Sequence, residues 1–397
     1  MTVLDVVGGV YGERCAFPDW NQVYGSAGRA AAALSAVVST VRLHTLLAPV
    51  IAPNARATIE QYGIEIYARD SEQAIGFDYL HCLDDPVISP SPSAIKRLAA
   101  LEVDADLVVS FGMMECDVKT RSKKCVYDPQ SPLRPAGFRA GGSQADHLAF
   151  IANATEASAL TGLPVQQAGQ KLLELERAEI VIIKNGIRGA TVFRPGHEPH
   201  HVPAYQTERV FTIGSGDVFV AAFALAWMVE EIDPREAADY ASRAVAKYVE
   251  TSALPMSSIA EVRSEQRNPA NLKGGRVYLA GPFRETGQRY LIDDARTRLQ
   301  ALGIEVFSPV HDIGHGPAEK VVRLDLEALE ASDAVFAILN GSTPGTLFEV
   351  GYARAKGASV YCVAQNMREA DLKLPRGSGC AIYFDYVTAL HQIAWRS

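Results

Sequence analysis

Short apolar segments with the composition of buried strands recur along the N-terminal two thirds of the chain, and helical patterns separate them. Each segment ends in turn chemistry, such as the Gly8-Gly9 pair after the first strand. Strands that alternate with helices in this way predict a parallel, doubly wound α/β sheet. Residues 64–88 instead alternate loosely between apolar and polar, which predicts a small β excursion or lid. The predicted strands are residues 3–10, 106–112, 124–128 and 179–184, and residues 188–193 are predicted to return as a hairpin.

The composition turns polar and irregular at residues 255–275, which is typical of a domain boundary. A second, shorter alternation of strands and helices begins at Arg276. It predicts a smaller flavodoxin-like or Rossmann-like α/β domain, in which ligands bind beyond the carboxyl ends of the strands. We therefore expect a first domain over residues 1–256, a linker over 257–275 and a second domain over 276–397. In the second domain the predicted strands are residues 277–280, 304–307, 334–339 and 360–363, and the predicted helices are residues 290–302, 318–332 and 345–356.

Composition and charge describe a globular protein, since 48% of the residues are apolar and 21% are charged. The formal net charge of −8 disfavours nonspecific binding to nucleic acid or to an anionic membrane, although it does not exclude a small phosphorylated ligand. The N-terminus lacks a basic region, and the longest apolar run, residues 218–229, is too short to span a bilayer. A cytoplasmic location is therefore predicted. The six cysteines lack C-x-x-C spacing, which predicts buried, reduced thiols.

The sequence Thr-Ile-Gly-Ser-Gly-Asp at residues 212–217 runs directly into an apolar helical segment. Its two glycines allow a tight turn, and the amides at the start of the following helix then converge on one point. Such a point binds an anion. Asp217, at its mouth, is suited to act as the base for a hydroxyl that attacks a phosphorus held there. The pattern indicates phosphoryl transfer; an ordinary helix start, with Asp217 favouring the helix dipole, is the alternative.

Other polar residues near the ends of predicted elements are candidates for the same site. Glu13 follows the first strand and offers a carboxylate to substrate hydroxyls, with a solvated loop glutamate as the alternative. Residues 25–29, Gly-Ser-Ala-Gly-Arg, lead into an alanine-rich helix that can pack closely on a sheet. Asn153 and Glu156 have the spacing of a helix N-cap and its reciprocal glutamate, which is a full structural explanation in itself.

Taken in chain order, the motifs of the first domain resemble the ribokinase-like (PfkB-type) family of sugar and nucleoside kinases. The resemblance covers about residues 3–253 and rests on the order of the motifs more than on any one of them. It implies phosphoryl transfer from ATP, with Mg²⁺ as a further cofactor and Asp217 as the catalytic base. The motifs that carry it are Gly8-Gly9, residues 25–33, Asp128-Pro129, Asn153-x-x-Glu156, Lys184-Asn185-Gly186 and residues 214–217.

The same resemblance assigns roles around the base and exposes three departures. Glu156, with Asn153, would organise Mg²⁺ and phosphate mainly through water, so its contact with the metal would be indirect. Ala30 stands where the family usually has a substrate-contacting asparagine, Glu13 where an aspartate is common, and Phe211 in place of an aspartate ahead of the anion hole. We therefore expect an unusual substrate. The implied anion hole and ATP site comprise Gly214, Ser215, Gly216, Asn153, Glu156, Lys184 and Gly186, and the implied substrate site includes Glu13 and Gly25.

Two carboxylates in the second domain also call for an explanation. Asp325 lies near the centre of the apolar stripe of a predicted helix, where an unpaired carboxylate is expensive to bury. It should therefore have either a structural partner or a function. Glu349 follows the loop at residues 340–345 and is predicted to lie in the first turn of the next helix. Thr346 and Glu349 also have capping-box spacing, so a structural role is the alternative for Glu349.

Together with Tyr-Leu-Ala-Gly-Pro-Phe at residues 278–283, these positions resemble the nucleoside 2-deoxyribosyltransferase family and its nucleotide N-glycosidase relatives. The resemblance covers Arg276 to about Val363. It implies that Glu349 attacks the anomeric carbon as the base leaves, while Asp325 positions the substrate and assists protonation of the base. The covalent glycosyl-enzyme would then pass to water or to a second base. The expected substrate-binding residues of this domain are Tyr278, Gly281, Arg284 and Gly345.

Several polar residues of this domain are open to more than one interpretation. Arg284, Gln288 and Arg289 follow the first strand and could bind a 5′-phosphate, with solvated surface side chains as the alternative. Thr343 occupies a place where transferases often carry another carboxylate, which favours hydrolysis over base exchange. His311 and His315 have no acidic or cysteine partner in sequence to complete a metal site, so we interpret them as loop residues.

The two resemblances predict a bifunctional enzyme that phosphorylates a sugar or nucleoside hydroxyl and cleaves or exchanges an N-glycosidic bond. The products would be a free base and a pentose 5-phosphate, with the kinase step slightly favoured as the first. The alternative is a degenerate kinase fold that acts as a nucleotide sensor or scaffold for a nucleotide- or NAD-hydrolysing domain. The expected partners are a nucleoside, nucleotide or pentose, with neither nucleic acid nor membrane. A homo-oligomer is expected by analogy with related transferases, which complete their sites across subunits.

Overall fold

The computed structural model describes residues 2–130, 134–314, 316–341 and 343–396. The chain forms two compact units, Met1–Ala270 and Asn271–Ser397, and each unit has its own hydrophobic core. Within the described ranges, every helix is too short or too polar to cross a bilayer. All six cysteine side chains are buried, as the sequence predicts.

The first unit contains one large sheet and one small sheet. Its strands are β1 (Val3–Val7), β2 (Gly12–Phe17), β3 (Trp20–Val23), β4 (Thr40–Leu47), β5 (Glu65–Asp70), β6 (Gly76–His81), β7 (Val87–Ser89), β8 (Leu101–Asp104), β9 (Leu107–Phe111), β10 (Val118–Asp128), β11 (Gln144–Asn153), β12 (Ile180–Lys184), β13 (Ala190–Phe193) and β14 (His200–Val202). In the described residues the large sheet has the order β14-β13-β12-β11-β10-β9-β1-β4-β5, with β8 paired to β10. The strands from β12 to β5 pair in parallel, and the antiparallel β13 and β14 close one edge.

The small sheet has the order β3-β2-β6-β7 and forms the predicted lid. The prediction placed all of residues 64–88 in the lid, but β5 extends the large sheet instead, because it pairs in parallel with β4. Half of the lid comes from residues 12–23, directly after β1, which the sequence analysis had not assigned to strands. Strand β11 was likewise not predicted, because its first half is largely exposed and lacks the apolar run of a buried strand.

Helices cover both faces of the large sheet. In α1, residues 30–34 have no exposed surface, so its alanines allow close contact with the sheet and with α5. In α5, every residue from Asp217 to Ala224 is buried, which fits a helix that is apolar on all sides. The helices of the first unit are α1 (Gly25–Leu34), α2 (Ala52–Ile59), α3 (Ala154–Thr161), α4 (Val165–Glu176), α5 (Ser215–Ala224), α6 (Pro234–Thr251) and α7 (Ile259–Ser264).

Helix α7 lies inside the segment 257–275, which the composition assigns to a linker. Ser258 and Glu261 form a capping box that starts the helix, and Val262 packs into the core of the first unit. The first unit accordingly continues to Ala270. Polar composition did not reveal this short helix, because only one of its side chains is buried.

The second unit is a parallel sheet with the strand order β16-β15-β17-β18-β19. These strands are β15 (Arg276–Ala280), β16 (Glu305–Phe307), β17 (Ala334–Ile338), β18 (Ser359–Val363) and β19 (Ala381–Tyr383). The chain passes from β15 outward to β16 and then crosses back to β17, so a topological switch point lies at the carboxyl ends of β15 and β17. The helices are α8 (Thr286–Ala301), α9 (Pro309–Asp312), α10 (Ala318–Glu330), α11 (Pro344–Ala355), α12 (Lys373–Gly377) and α13 (Tyr386–Ala394).

Candidate active sites

The turn that starts α5 has the geometry expected of an anion hole. Gly214 adopts a left-handed φ of +82° and is the N-cap residue, while Ser215, Gly216 and Asp217 form the first turn. A Cβ at Gly214 would lie 2.2 Å from the Arg29 side chain, and a Cβ at Gly216 would lie 3.2 Å from Nζ of Lys184. Gly214 is therefore required both for its left-handed backbone and for the close approach of Arg29, whereas a side chain at Gly216 would crowd the ammonium group of Lys184.

Arg29 lies beneath this turn as an almost fully buried cation, with 1% of its surface exposed. Its Nη1 donates to Oδ2 of Asp217 at 2.8 Å and to Oε1 of Glu13 at 3.0 Å, and its Nη2 donates to the other oxygen of Glu13. Burial alone would lower the pKa of the guanidinium, but the charge of Glu13 and that of Asp217 raise it well above its ordinary value. The guanidinium also lies over the ring of Tyr24, 5.4 Å from the centroid.

This ion pair changes the interpretation of two candidate residues. Glu13 does lie beside Asp217, as its substrate-site assignment requires, but both of its carboxylate oxygens already accept from Arg29. The sequence analysis treated Arg29 only as part of the glycine-containing motif. The signal that could have identified Arg29 is its position as a single charged residue near the start of an alanine-rich helix that must be buried, since a buried charge needs a partner.

The second oxygen of Asp217 is also bound. Nε2 of Gln130 donates to Oδ1 of Asp217 at 3.0 Å, and the hydroxyl of Ser26 donates to Oε1 of Gln130 at 2.9 Å. Gln130 has a left-handed φ of +42°, which is uncommon for a residue with a side chain. Gln130 therefore spans the start of α1 and the proposed base, a role that its sequence context did not indicate.

A second buried ion pair adjoins the anion hole. Nζ of Lys184, at the end of β12, lies 2.5 Å from Oδ2 of Asp128, at the end of β10, and Asp128 has no exposed surface. Burial would lower the pKa of Lys184, but the carboxylate of Asp128 outweighs it and raises that pKa. Gly186 follows with a φ of +52° and is exposed. Gly25 also has a positive φ, +60°, and a Cβ there would lie 2.5 Å from the carbonyl oxygen of Gly9.

Asn153 and Glu156 form the capping box that their spacing predicts. Oδ1 of Asn153 accepts from the Glu156 amide at 2.8 Å, and Oε2 of Glu156 accepts from the Asn153 amide at 2.9 Å. Among the described residues, no cluster of three or more His, Cys, Asp or Glu side chains has the arrangement of a metal site. Since one Glu156 oxygen is used by the cap, the arrangement fits the water-mediated contact with Mg²⁺ implied by the resemblance better than direct ligation.

We predict that Arg29→Met strongly destabilises the first unit, because it leaves Glu13 and Asp217 as buried carboxylates without their cation. Removing one partner of a buried ion pair lowers the free energy of unfolding by about 3–5 kcal/mol. The loss should appear as a lower urea midpoint for the transition of that unit. Arg14→Met is the matched control, since Arg14 pairs with Asp78 on an exposed surface. Equal midpoints for the two variants would contradict the structural importance of the Arg29 pair.

In the second unit, Glu349 lies against Tyr278. The Tyr278 hydroxyl, from β15, donates to Oε1 of Glu349, from α11, at 2.8 Å. Burial raises the pKa of Glu349 to about 7, with a smaller increase from Asp325, while the hydrogen bond from Tyr278 acts in the opposite direction. The carboxylate is thus held against the sheet by Tyr278, with a pKa near neutrality.

The capping alternative for Glu349 and its predicted place in the first turn are both wrong. Helix α11 begins at Pro344, three residues earlier than a capping box with Thr346 as its N-cap requires, and its N-cap is Thr343. The Thr343 hydroxyl accepts from the amide of Thr346, so the cap is complete without Glu349. Glu349 consequently lies in the second turn, with its side chain directed to Tyr278.

Asp325 on α10 has a carboxylate oxygen that is buried and has no hydrogen-bond partner among the described residues. Burial raises its pKa, and its charge acts on both Tyr278 and Glu349. The sequence analysis expected either a structural partner or a function; the structure provides no partner for this oxygen. The amide oxygen of Gln288, in the first turn of α8, is buried and unpartnered in the same way.

The remaining candidates of the second unit differ in accessibility. Gly281 is buried, and a Cβ there would lie 3.0 Å from Ile292, whereas Gly345 is exposed with open space around it. Arg284 is exposed. Arg289 instead pairs with Asp293 at 2.8 Å, which leaves it less available to a phosphate.

Of the two histidines interpreted as loop residues, only His311 lies within the described residues. His311 does have an acidic neighbour: its Nε2 lies 2.8 Å from Asp293, and its Nδ1 lies 2.9 Å from the Ser308 hydroxyl. It lies in the short helix α9, so its interpretation as a loop residue is wrong. Pro309 starts that helix at its first position. His315 lies outside the described residues.

We predict that base release in the second unit rises with pH through about pH 7, because only the ionised carboxylate of Glu349 can attack, and that it falls again at the pH where Asp325 loses the proton it donates. Tyr278→Phe removes the hydrogen bond that favours the ionised form, so the pKa of Glu349 should rise and the profile should move to higher pH. The measurement is the pH dependence of the single-turnover rate. Tyr352→Phe is the control, because Tyr352 also lies on α11 but its hydroxyl donates to Glu330. A shift to lower pH in Tyr278→Phe would contradict the assignment.

Comparison with known proteins gives one family match within each unit. Residues 108–257 match the family model for pfkB family carbohydrate kinases, and residues 277–383 match that for nucleoside 2-deoxyribosyltransferases. These matches confirm the predicted resemblance: one segment of the chain is similar to pfkB family carbohydrate kinases, and a later segment is similar to nucleoside 2-deoxyribosyltransferases. Together they support a bifunctional sugar or nucleoside enzyme in general terms.

The chain is also similar to individual ribokinases. A ribokinase of Arabidopsis thaliana is 36% identical over 112 residues, which is 26% of this chain and 29% of that relative. The solved structure of Arabidopsis thaliana ribokinase with ribose and ATP covers 66% of this chain and 99% of that chain, at 17% identity and a TM-score of 0.51. A ribokinase structure from Thermotoga maritima covers the same shares at 18% identity and a TM-score of 0.47. The Arabidopsis thaliana structure confirms the predicted ribokinase-like α/β fold, and the strand order of the second unit confirms the smaller parallel α/β domain.

Proposed function

We propose that the chain is a bifunctional enzyme of nucleoside or pentose metabolism. Its first unit phosphorylates a sugar or nucleoside hydroxyl with ATP, and its second unit cleaves or exchanges an N-glycosidic bond. The products are a free base and a pentose 5-phosphate. The observation that carries the proposal is the 2.8 Å hydrogen bond from Tyr278 to Glu349. The pKa of the Glu349 carboxylate is raised, mainly by burial and further by the charge of Asp325.

In the second unit Glu349 is the nucleophile. Its carboxylate forms a bond to the anomeric carbon while the carbon–nitrogen bond breaks, and that electron pair leaves with the base. Asp325, whose pKa burial raises, supplies the proton that the leaving nitrogen takes up. Water or a second base then displaces the glycosyl group from Glu349. Thr343, in place of a further carboxylate, favours water as the acceptor.

In the first unit the amides at residues 214–216 bind the transferring phosphate, and Lys184 adds a positive charge beside them. Asp217 accepts the proton of the acceptor hydroxyl as that oxygen attacks phosphorus. Bound Mg²⁺, held through water near Glu156, would neutralise phosphate charge. The acceptor hydroxyl must take the place of Gln130 at Oδ1, since Arg29 holds Oδ2.

The proposal that phosphorylation precedes cleavage of the N-glycosidic bond rests on Arg284. This side chain is exposed in the loop after β15, where it can meet the 5′-phosphate of a nucleotide. Arg289, the other arginine of that region, is engaged by Asp293. Phosphorylation would therefore create the anionic group that the second unit binds.

Chromatographic detection of free base tests the function and the order together. Nucleosides and their 5′-monophosphates are each incubated with the full chain, with and without magnesium-ATP. We expect direct release from monophosphates, and release from nucleosides only when ATP is present. Release from nucleosides without ATP would reverse the order, and no release from any substrate would overturn the second activity.

A second candidate function is supported by the contacts of Asp217. Both of its carboxylate oxygens are bound by the protein, one by Arg29 and the other by Gln130. A base held in this way favours a degenerate kinase fold that binds nucleotide and serves as a sensor or scaffold. Calorimetry that shows ATP binding, together with no ADP production against any acceptor, would favour this candidate over the kinase.

A further inference from the structure

One face of the lid is turned toward Asp217. In β2, Glu13 and Cys15 are two residues apart and so share a face, and Glu13 reaches Arg29 and the site. The parallel register of β6 places Phe77 opposite Glu13 and Tyr79 opposite Cys15, while the antiparallel register of β3 places Trp20 opposite Cys15. Residues opposite each other in a ladder lie on the same face. We call this surface the lid face, formed by Glu13, Cys15, Trp20, Gln22, Phe77 and Tyr79.

The lid face is aromatic around its single charge. Tyr79 is partly buried, and burial together with the charge of Glu13 raises the pKa of its hydroxyl, while Asp217 raises it further. The ring of Trp20 lies 5.0 Å from that of Phe211, the residue that stands ahead of the anion hole. Indole Nε1 of Trp20 is buried and has no hydrogen-bond partner in the described part of the chain. The face thus offers ring surfaces and one unused donor.

The same site has little capacity left for the hydroxyls of a small sugar. Both oxygens of Glu13 accept from Arg29, so the only carboxylate of the lid face is already neutralised. Ala30, one residue later in α1, is fully buried and has no polar side-chain atom. A free pentose, which is bound through its hydroxyls, would find the Gln22 amide on the lid face but no carboxylate free of an ion pair to replace the water it loses.

We infer that the acceptor of the first unit is a nucleoside whose base stacks on the lid face at Tyr79, and not a free pentose. A flat heterocycle matches the aromatic rings, and its ring nitrogens or carbonyl oxygens match the unused donor of Trp20. The sugar then needs to present only one hydroxyl to Asp217. The inference rests on the proposed phosphotransferase function, to which it adds the class of acceptor and hence the order of the two reactions.

The test is a comparison of acceptors in a Glu349→Gln background, in which the second unit cannot consume nucleosides. Ribose, 2-deoxyribose and purine and pyrimidine ribonucleosides are each incubated with magnesium-ATP, and phosphorylated products are separated by chromatography. We expect kcat/KM for the preferred nucleoside to exceed that for ribose by about tenfold or more. Tyr79→Leu should raise the nucleoside KM by roughly tenfold, with a smaller effect on kcat, because it removes stacking made equally before and during transfer.

Tyr67→Leu is the matched control. Tyr67 is a half-exposed tyrosine of the same unit that stacks on His44 in the large sheet and has no place on the lid face. Tyr79→Phe, which keeps the ring, should retain most of the nucleoside affinity. A preference for ribose, or equal nucleoside KM values in Tyr79→Leu and Tyr67→Leu, would overturn the inference and leave the kinase function standing.

Absence of phosphorylation with every acceptor would instead refute the kinase function, and calorimetry would then decide the inference. The preferred ribonucleoside is titrated into the Glu349→Gln protein and into its Tyr79→Leu and Tyr67→Leu derivatives. Weaker binding in Tyr79→Leu alone supports a nucleoside site on the lid face. Binding that Tyr79→Leu leaves unaltered overturns it, since any heat from the second unit is common to all three proteins.

Discussion

Glu349→Gln is expected to reduce the rate of base release by about a thousandfold or more. The substitution keeps the size of the side chain and an oxygen for the Tyr278 hydroxyl, but an amide cannot form the ester to the anomeric carbon. The measurement is the single-turnover rate of free-base formation from the preferred nucleoside or nucleotide. Because the side chain is isosteric, the thermal midpoint of the second unit should change little, so that a loss of rate reports on chemistry.

Glu327→Gln is the matched control for this prediction. Glu327 lies on α10 and pairs with Arg323 on an exposed surface, so the same change there should leave the rate unaltered. Azide provides a second check: in Glu349→Ala it should enter the vacated space, attack the anomeric carbon and restore part of the base release. Full activity in Glu349→Gln would refute the nucleophile.

Asp217→Asn is expected to abolish ATP-dependent phosphorylation while base release from a preformed substrate of the second unit continues. The amide oxygen of asparagine can still accept from Arg29, but the side chain cannot take the proton of the acceptor hydroxyl. General-base losses are roughly a hundredfold to ten-thousandfold. The measurement is the rate of ADP formation in the presence of acceptor, followed in parallel with free base.

Asp106→Asn is the control for the first unit, since Asp106 pairs with Lys123 on the surface. The thermal midpoint of Asp217→Asn must also be measured, because the change weakens a buried ion pair. Kinase turnover that persists in a folded Asp217→Asn protein would refute the base assignment. If the unaltered chain itself produces no ADP, the contacts of Arg29 and Gln130 with Asp217 would explain why.

Two of the departures from the family pattern have a physical explanation in the contacts that Glu13 and Phe211 make. Glutamate at position 13 is one methylene longer than the usual aspartate and reaches the guanidinium with both oxygens. Phe211, where the family often has an aspartate, packs against Trp20 beside the lid face. At both positions an aspartate of the family pattern is replaced, once by a glutamate paired to Arg29 and once by an aromatic ring.

The sequence was sufficient for features that are set locally. Alternating apolar strands and helices predicted the two α/β folds, because each strand and helix must bury one face or stripe. The Gly-Ser-Gly-Asp turn before an apolar helix predicted the start of α5 and its converging amides, because backbone conformation there depends on neighbouring residues alone. The sequence did not predict strand β11 or the lid strands at residues 12–23, because their half-exposed patterns resemble those of loops.

The contacts that define each site were decided only by the tertiary structure. Arg29 meets Glu13 and Asp217 across 16 and 188 residues of sequence, and Tyr278 meets Glu349 across 71. No local pattern encodes such distances, since they depend on which strands become neighbours in the sheet. The sequence alone identified Asp217, Asp325 and Glu349 as carboxylates in need of a role. Folding determined that Arg29 and Gln130 bind Asp217 and that burial brings the pKa of Glu349 near neutrality. It also left one oxygen of Asp325 without a hydrogen-bond partner among the residues that the structure describes.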